Sequence, residues 1–319
     1  MNMKLQWVYI GIITVLIAMV LIGIFIMGPG QDTGRTNVEA FGASGDDSKD
    51  DSSAIQAAID SSYENDNLPV QLLGKTYILK QGLRLKEGVS LEMGVATKIL
   101  VEGNFNVLEL ERKTSITNGT IEITTPEFQS AVIHVSGKEQ VWTTERIQLE
   151  NVTLYNSSGS NRGKGIYFSA DTSDEFISFV NVSGVNVSGF HTAVHLQATP
   201  PEKEEEHNFV NGNRFVNMTL DDCVVCIRLD SDVTIPNEVS GNMFDNLQIQ
   251  LTERTDKAVI LSGTNNTLEG MIWDASIIED AHPLIEGTEP SYGNFIRMNL
   301  PKDRFLDKGQ GNNYSIFEK

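Results

Sequence analysis

Four side chains able to hold a polar ligand recur at one place in a short repeating pattern. The pattern reads small or apolar residue, apolar, any, apolar. Its copies are Val132-Ile133-His134-Val135, Gly165-Ile166-Tyr167-Phe168, Ala193-Val194-His195-Leu196, Cys226-Ile227-Arg228-Leu229 and Ala258-Val259-Ile260-Leu261. The variable place therefore carries His134, Tyr167, His195, Arg228 and then Ile260. If each copy is a strand stacked on the next, three rings and a guanidinium follow one another at about 4.8 Å along one outward face. Sugars bind such columns through aromatic faces and planar donors, which makes these four the candidate glycan-binding residues. The plain alternative is that polar and aromatic side chains merely stack on an exposed sheet. A register shifted by one residue would turn the column inward.

Candidates for bond-breaking chemistry are weaker. Hydrolysis of a glycosidic bond needs one protonated carboxyl and one ionised carboxylate near each other on the outer surface. The adjacent Asp221 and Asp222 are the candidates, with a turn as the alternative role. Lyase chemistry needs an Arg or Lys base beside Ca²⁺ held by carboxylates. Asp230 and Asp232 are available, but no ladder of acids is read beside an outward arginine, Arg228 being nearest. No cofactor is expected, and Ca²⁺ is left open. Cys223 and Cys226 form a CxxC without a second pair, so packing rather than a metal site is expected, and two cysteines build no disulfide scaffold.

Charge excludes other classes. Asp and Glu number 43 against 24 Lys and Arg, a formal net charge of -19. Such a chain is not expected to bind nucleic acid or an anionic surface directly. Phosphate-loop, dinucleotide, zinc-protease and nucleophile-elbow motifs do not occur. Lys4 is the only charged side chain before Asp32, so the acidity belongs to the rest of the chain. Self-repulsion of that size is screened in high salt, which favours a saline setting; an ordinary acidic secreted protein is the alternative.

Residues Trp7 to Met27 carry no charge and are mostly Ile, Val, Leu and Met. As a helix they would be roughly 31 Å long, matching a hydrocarbon core of about 30 Å. The run exceeds a signal-peptide core and lacks a small-x-small cleavage site, so an uncleaved anchor in the lipid bilayer is expected. Lys4 places the N-terminus in the cytoplasm. The expected organisation is 1–28 cytoplasmic tip and transmembrane anchor, 29–36 linker, and 37–319 an extracellular or virion-surface domain.

A second pattern, apolar-x-Asn followed by apolar-x-apolar or small, is centred on Asn118, Asn151, Asn181, Asn217 and Asn246. Two alternating segments in each period of about 24 to 36 residues, separated by Asn, Gly, Ser and Asp, describe one turn of a β-solenoid. The asparagines are expected in one line, at bends whose left-handed backbone they tolerate, with their side chains bonded to those above and below. Ser53 to Ser62 reads as a short amphipathic helix, N-capped by Ser52 or Ser53, whose Ile55, Ala58 and Ile59 would cover the open end of the coil.

The stretch Asn37 to Ile59, NVEAFGASGDDSKDDSSAIQAAI, and the segment Val70 to Leu100 resemble the N-terminal signature of the pectate-lyase superfamily, which includes polygalacturonase-like enzymes and phage tailspikes. The resemblance implies an all-β, right-handed, single-stranded parallel β-helix of about eight to ten coils. By the same resemblance a homo-oligomer, a trimer, is implied. Asp221-Asp222 is similar to the adjacent aspartates of polygalacturonases. However, Asn186-Val187-Ser188 and Ser240-Gly241-Asn242 stand where that family has Asn-Thr-Asp and Gly-His-Gly, and no Arg-x-Lys follows. The expected role is therefore a glycan-binding, attachment or structural spike without catalysis. The alternative is an anchored lyase or hydrolase acting on acidic polysaccharide.

Overall fold

The computed structural model describes residues 34–317 apart from 202, 204 and 233–237. The expected anchor at 7–27 and its flanks lie outside the described residues. Among those residues no helix is long and apolar enough to cross a membrane.

Short strands dominate because apolar residues alternate with polar ones over three to eight positions and then meet Asn or Gly. Every named strand pairing is parallel, and the strands join into a 17-stranded and a 12-stranded sheet. The central coils contribute strands to three faces, and three of them add a short fourth strand, Phe176–Ser178, Phe209–Asn211 and Val239–Ser240. On the first face Ser115–Thr117, Gln148–Glu150, Asn181–Ser183 and Arg214–Val216 stack in order. After a tight bend, the second face stacks Thr120–Ile123, Thr153–Asn156, Asn186–Ser188 and Thr219–Asp221. The third face has the longest rungs, including Ala131–Ser136, Lys164–Ala170, Thr192–Ala198 and Val225–Ser231.

Inside the coil, like residues sit on like. The first face sends in Leu91, Ile116, Leu149, Val182, Phe215, Phe244, Leu268 and Ile296, all buried and all in register. The Phe215 and Phe244 rings are stacked at 4.5 Å and 6°. Fully burying one such side chain contributes about 1.5–3 kcal/mol, so these columns hold the coils together. The helix Ser52–Glu64 seals the N-terminal end with buried Ile55, Ala58 and Ile59. Its N-cap is Asp51, not Ser52 or Ser53, and Asp51 makes no side-chain capping bond. The Ser52 hydroxyl instead accepts from the amides of Lys80 and Gln81.

The expected line of asparagines needs one correction. Asn118, Asn151, Asn217 and Asn246 do share the left-handed bend between the first and second faces, with φ of 62°, 57°, 56° and 52°. Asn181 does not; it pairs with Gln148 and Arg214 within the first face. The bend of that coil is made by Gly184, whose φ is 64°. A Cβ there would come within 2.6 Å of the Asn151 amide oxygen, so glycine fits where asparagine would not. Of the bend side chains, only Asn246 and Asn217 are hydrogen-bonded to each other, at 2.7 Å.

The continuous amide ladder lies elsewhere, inside the wall. Asn213, Asn242, Asn266 and Asn294 are almost wholly buried. Each donates its side-chain amide to the next asparagine's Oδ1, the last to Asn312, at 2.9–3.0 Å. Each also donates to a carbonyl of the preceding coil: Ile177, Val210, Val239 and Gly263. The backbone N–H of each meets the same Oδ1 as its side chain. Buried polar groups are thereby satisfied coil by coil. Removing one member strands partners on both sides, at about 1–3 kcal/mol for each stranded group. Asn242→Ala should therefore lower unfolding stability by about 3 kcal/mol. Asn118→Gly, at the solvated bend, should change it by less than about 1 kcal/mol. Chemical denaturation of both variants checks the contrast.

Candidate functional site

The third face brings the four singled-out residues into one column. His134 pairs with Tyr167, Tyr167 with His195, His195 with Arg228 and Arg228 with Ile260. Their neighbours along each strand, such as Ile133 and Val135 or Val194 and Leu196, point into the core and fix them outward. The rings stack on one another, His134 on Tyr167 at 5.3 Å and 16°, Tyr167 on His195 at 5.0 Å and 33°. This corrects the expected use of the rings. Their faces cover each other, and His195 is only 7% exposed, so the column offers polar ring edges to a ligand rather than flat faces.

A second outward column two residues along each strand completes the edge. It holds Ser136, Ser169, Gln197 and Asp230 in register. Tyr167 donates to the Gln197 amide oxygen at 3.0 Å, and the Gln197 amide nitrogen donates to Asp171 at 3.1 Å. Asp230 Oδ2 meets His195 Nε2 at 2.9 Å and accepts from Arg228 Nε at 2.6 Å. Burial opposes ionisation of Asp230, but the His195 and Arg228 hydrogen bonds and the guanidinium charge outweigh it and hold the carboxyl below 3.8. Burial lowers the His134 pKa and pushes Tyr167 up to about 12, with Glu109 partly restoring the former and Asp171 reinforcing the latter.

Positive charge on this face is concentrated. The Lys164 ammonium lies 4.6 Å from the Tyr167 ring centroid and, among the described residues, has no carboxylate within ion-pair reach. Burial and then the Arg228 charge lower its pKa, Asp171 opposing. Burial and then the Arg228 and Lys164 charges lower the His191 pKa and favour its neutral ring, which leaves Lys164 and Arg228 as the cations that crowd together here.

Asp221 and Asp222 do not form a paired acid and base. Asp221 accepts from Ser188 at 3.1 Å. Asp222 occupies a left-handed turn and binds Thr252 at 2.8 Å and Arg254 at 3.0 Å. The two carboxylates are thus drawn to different partners: Asp222 has the turn geometry, whereas Asp221 ends the strand Thr219–Asp221. Cys223 and Cys226 are both buried, and burial pushes Cys223 up to about 12 and Cys226 upward as well, which keeps both as packed thiols. Among the described residues no three His, Cys, Asp or Glu side chains converge as ligands for a metal.

One cluster escaped the sequence. Arg84 lies in the same column as Glu109 and His134, and binds Glu111 and, at 3.0 Å, Glu139. An outward arginine with acids on adjacent coils therefore exists, at the opposite end of the column from Arg228. Burial and then the Glu111 charge hold Glu139 above 4.5, with Arg84 opposing. These groups and Lys138 line a hollow of about 360 Å³. A second hollow of about 340 Å³ at the other end is lined by Gln197, Asp230, Asp232 and Thr288. The signal was the repeat itself, since Leu83-Arg84-Leu85 and Leu108-Glu109-Leu110 are earlier, shorter copies of the third-face strand.

Stacked parallel coils with three faces and an N-terminal capping helix place the protein in the right-handed parallel β-helix superfamily of pectate lyases, polygalacturonases and tailspikes. More narrowly, the chain belongs to the family described as rhamnogalacturonase A/epimerase, pectate lyase-like, whose profile matches residues 35–248. Among curated proteins none matches the sequence. Solved structures share the fold at low identity. WceF of Pantoea stewartii, described as a glycan biofilm modifying enzyme with a bacteriophage tailspike-like parallel β-helix fold, is 14% identical at a TM-score of 0.59. That match covers 89% of this chain and 38% of WceF. ORF18 of Geobacillus virus E2 is 16% identical at a TM-score of 0.50, over 94% of this chain and 63% of its own length.

The Asp230 geometry carries a pH signature. A carboxyl held below its ordinary value contributes stability that is complete above about pH 4 and is lost as pH falls through the folded value. Thermal melts should thus show a larger loss between pH 5 and pH 2.5 for the natural chain than for Asp230→Asn. Equal losses would mean that Asp230 is not held by His195 and Arg228.

Proposed function

We propose that the third face binds a polysaccharide laid across the coils, along the His134, Tyr167, His195 and Arg228 column. The observation that carries this reading is the unbroken register of that column over four coils. Coils repeat about every 4.8 Å, close to the length of one sugar residue in an extended chain, so successive sugars can meet successive rungs. Ring edges, the Gln197 amide and the Asp230 carboxylate supply donors and acceptors, and a hollow lies at each end. Lys164 and Arg228 favour glycans bearing carboxylate or sulfate groups. Further support comes from WceF, whose description names a glycan as its target.

A second reading, cleavage of the bound chain, is favoured by one observation. Glu139, whose carboxyl is held above its ordinary value by burial, shares Arg84 with Glu111, and two carboxyls placed close together on the outer surface are what glycosidic cleavage needs. We also propose that residues 7–27 anchor the chain in a bilayer with the β-helix outside, on the strength of that charge-free run.

A glycan array probed with the full chain in detergent tests the first two readings together. Binding should fall at least tenfold in His195→Ala/Tyr167→Ala of unchanged melting temperature; unaltered binding removes the column. Reducing or unsaturated ends released by the natural chain but not by Glu139→Gln would establish cleavage over binding alone. Carbonate extraction of membranes should leave the chain in the pellet, and release into the supernatant would refute the anchor.

A further inference from the structure

A second site lies on a different side of the coils. The short strands Phe176–Ser178 and Phe209–Asn211 pair in parallel, with Val141 bridged to Ile177 on the coil before. Phe176 and Phe209 stack at 5.2 Å and 14°. Trp142 stands edge-on to Phe176, Phe179 and Phe209 at 5.9, 5.3 and 6.2 Å, and is 43% exposed. The three phenylalanines are themselves only partly buried.

Phe179 is the informative residue. Its φ is 62°, and the same bend in later coils holds Gly212, Gly241, Asn265, Gly293 and Gly311, at φ between 53° and 64°. Each of these immediately precedes an asparagine of the ladder, as Phe179 precedes Val180, whose amide starts the ladder on Asn213. This left-handed conformation crowds Cβ against the backbone, and is more readily borne by glycine or asparagine than by phenylalanine. The strained ring does not enter the core. It lies on the surface against Trp142, and Gly212 leaves it room, since a Cβ there would come within 3.1 Å of it. Beside it Asn211, which accepts from Ser178, has an amide nitrogen with no acceptor among the described residues.

We propose that Trp142, held edge-on by Phe176, Phe179 and Phe209, offers its exposed ring to the apolar face of a neutral pyranose, with the Asn211 amide donating to a sugar hydroxyl. This rests on the glycan-binding reading and adds a subsite that the column does not include. A protein partner fits less well. Four partly covered rings expose on the order of 300 Å², against about 800 Å² per partner in a stable interface, whereas one or two sugars need no more.

The test follows Trp142 alone, in the full chain carrying Trp7→Phe and Trp273→Phe. Neutral hexasaccharides of β-1,4-glucan, β-1,4-xylan, β-1,4-mannan and β-1,4-galactan are titrated against its fluorescence. At least one should give a saturable shift. Affinity for it should fall at least tenfold in Phe179→Gly, which relieves the bend and should melt no lower than its parent. It should stay within twofold in His195→Ala/Tyr167→Ala. No saturable shift with any of the four, or a shift unchanged in Phe179→Gly, overturns the subsite and leaves the column standing. Self-association in sedimentation that Trp142→Ala abolishes would overturn it in favour of a second copy of this chain.

Discussion

Coil-to-coil register governs everything else in the molecule. Each strand has its neighbours about 4.8 Å above and below, and side chains alternate between core and solvent with a period of two. A slip of one residue would drive His134, Tyr167 and Arg228 into the interior and expose Ile133, Ile166 and Ile227. What prevents the slip is apolar stacking inside, with Phe215 on Phe244 as the tightest pair, combined with amide bonding in the wall. Neither would suffice alone. Apolar columns tolerate some sliding, whereas an asparagine amide bonded to both a carbonyl and the next asparagine allows one alignment only.

The third-face column was legible because from Ala131 onward its strands are six to eight residues long and inward apolar residues flank each variable one. The bend line was read less well. Asn181 carries the right neighbours, Phe179-Val180 before and Val182 after, yet it belongs to the strand three residues ahead of the bend. An apolar-x-Asn pattern cannot separate those two places where glycine takes over the left-handed residue. The buried ladder left a trace in the Gly-Asn pairs at 212–213, 241–242, 293–294 and 311–312. Those pairs read equally well as ordinary turns, since burial of a polar side chain follows only from its partners on neighbouring coils. The Arg84 cluster was hidden because its strands, Leu83–Leu85 and Leu108–Leu110, are too short to show the longer pattern.

The excess of acid is handled locally. Many basic side chains reach across one coil spacing to an acid, as Lys98 does to Glu122, Arg112 to Glu87, Arg297 to Glu269 and Lys308 to Glu286. Exposed pairs of this kind each contribute little. Their arrangement nevertheless leaves Lys164 as a cation without such a partner, on the face where a ligand is proposed to lie. Lys138, Arg146, Arg162, Arg214 and Lys302 also lack an ion-pair partner among the described residues, so what marks Lys164 is its place over the Tyr167 ring, 4.6 Å from the centroid.

The asparagine ladder has a further consequence. Its members are 29, 24, 28 and 18 residues apart in sequence, yet adjacent rungs differ little in how they bond. A seam fixed at one corner tells each coil where to begin, whatever length of chain it spent getting there. Outer loops are then free to lengthen, shorten or be exchanged. Such a scaffold can acquire new recognition surfaces by changing its loops without redesigning its spine.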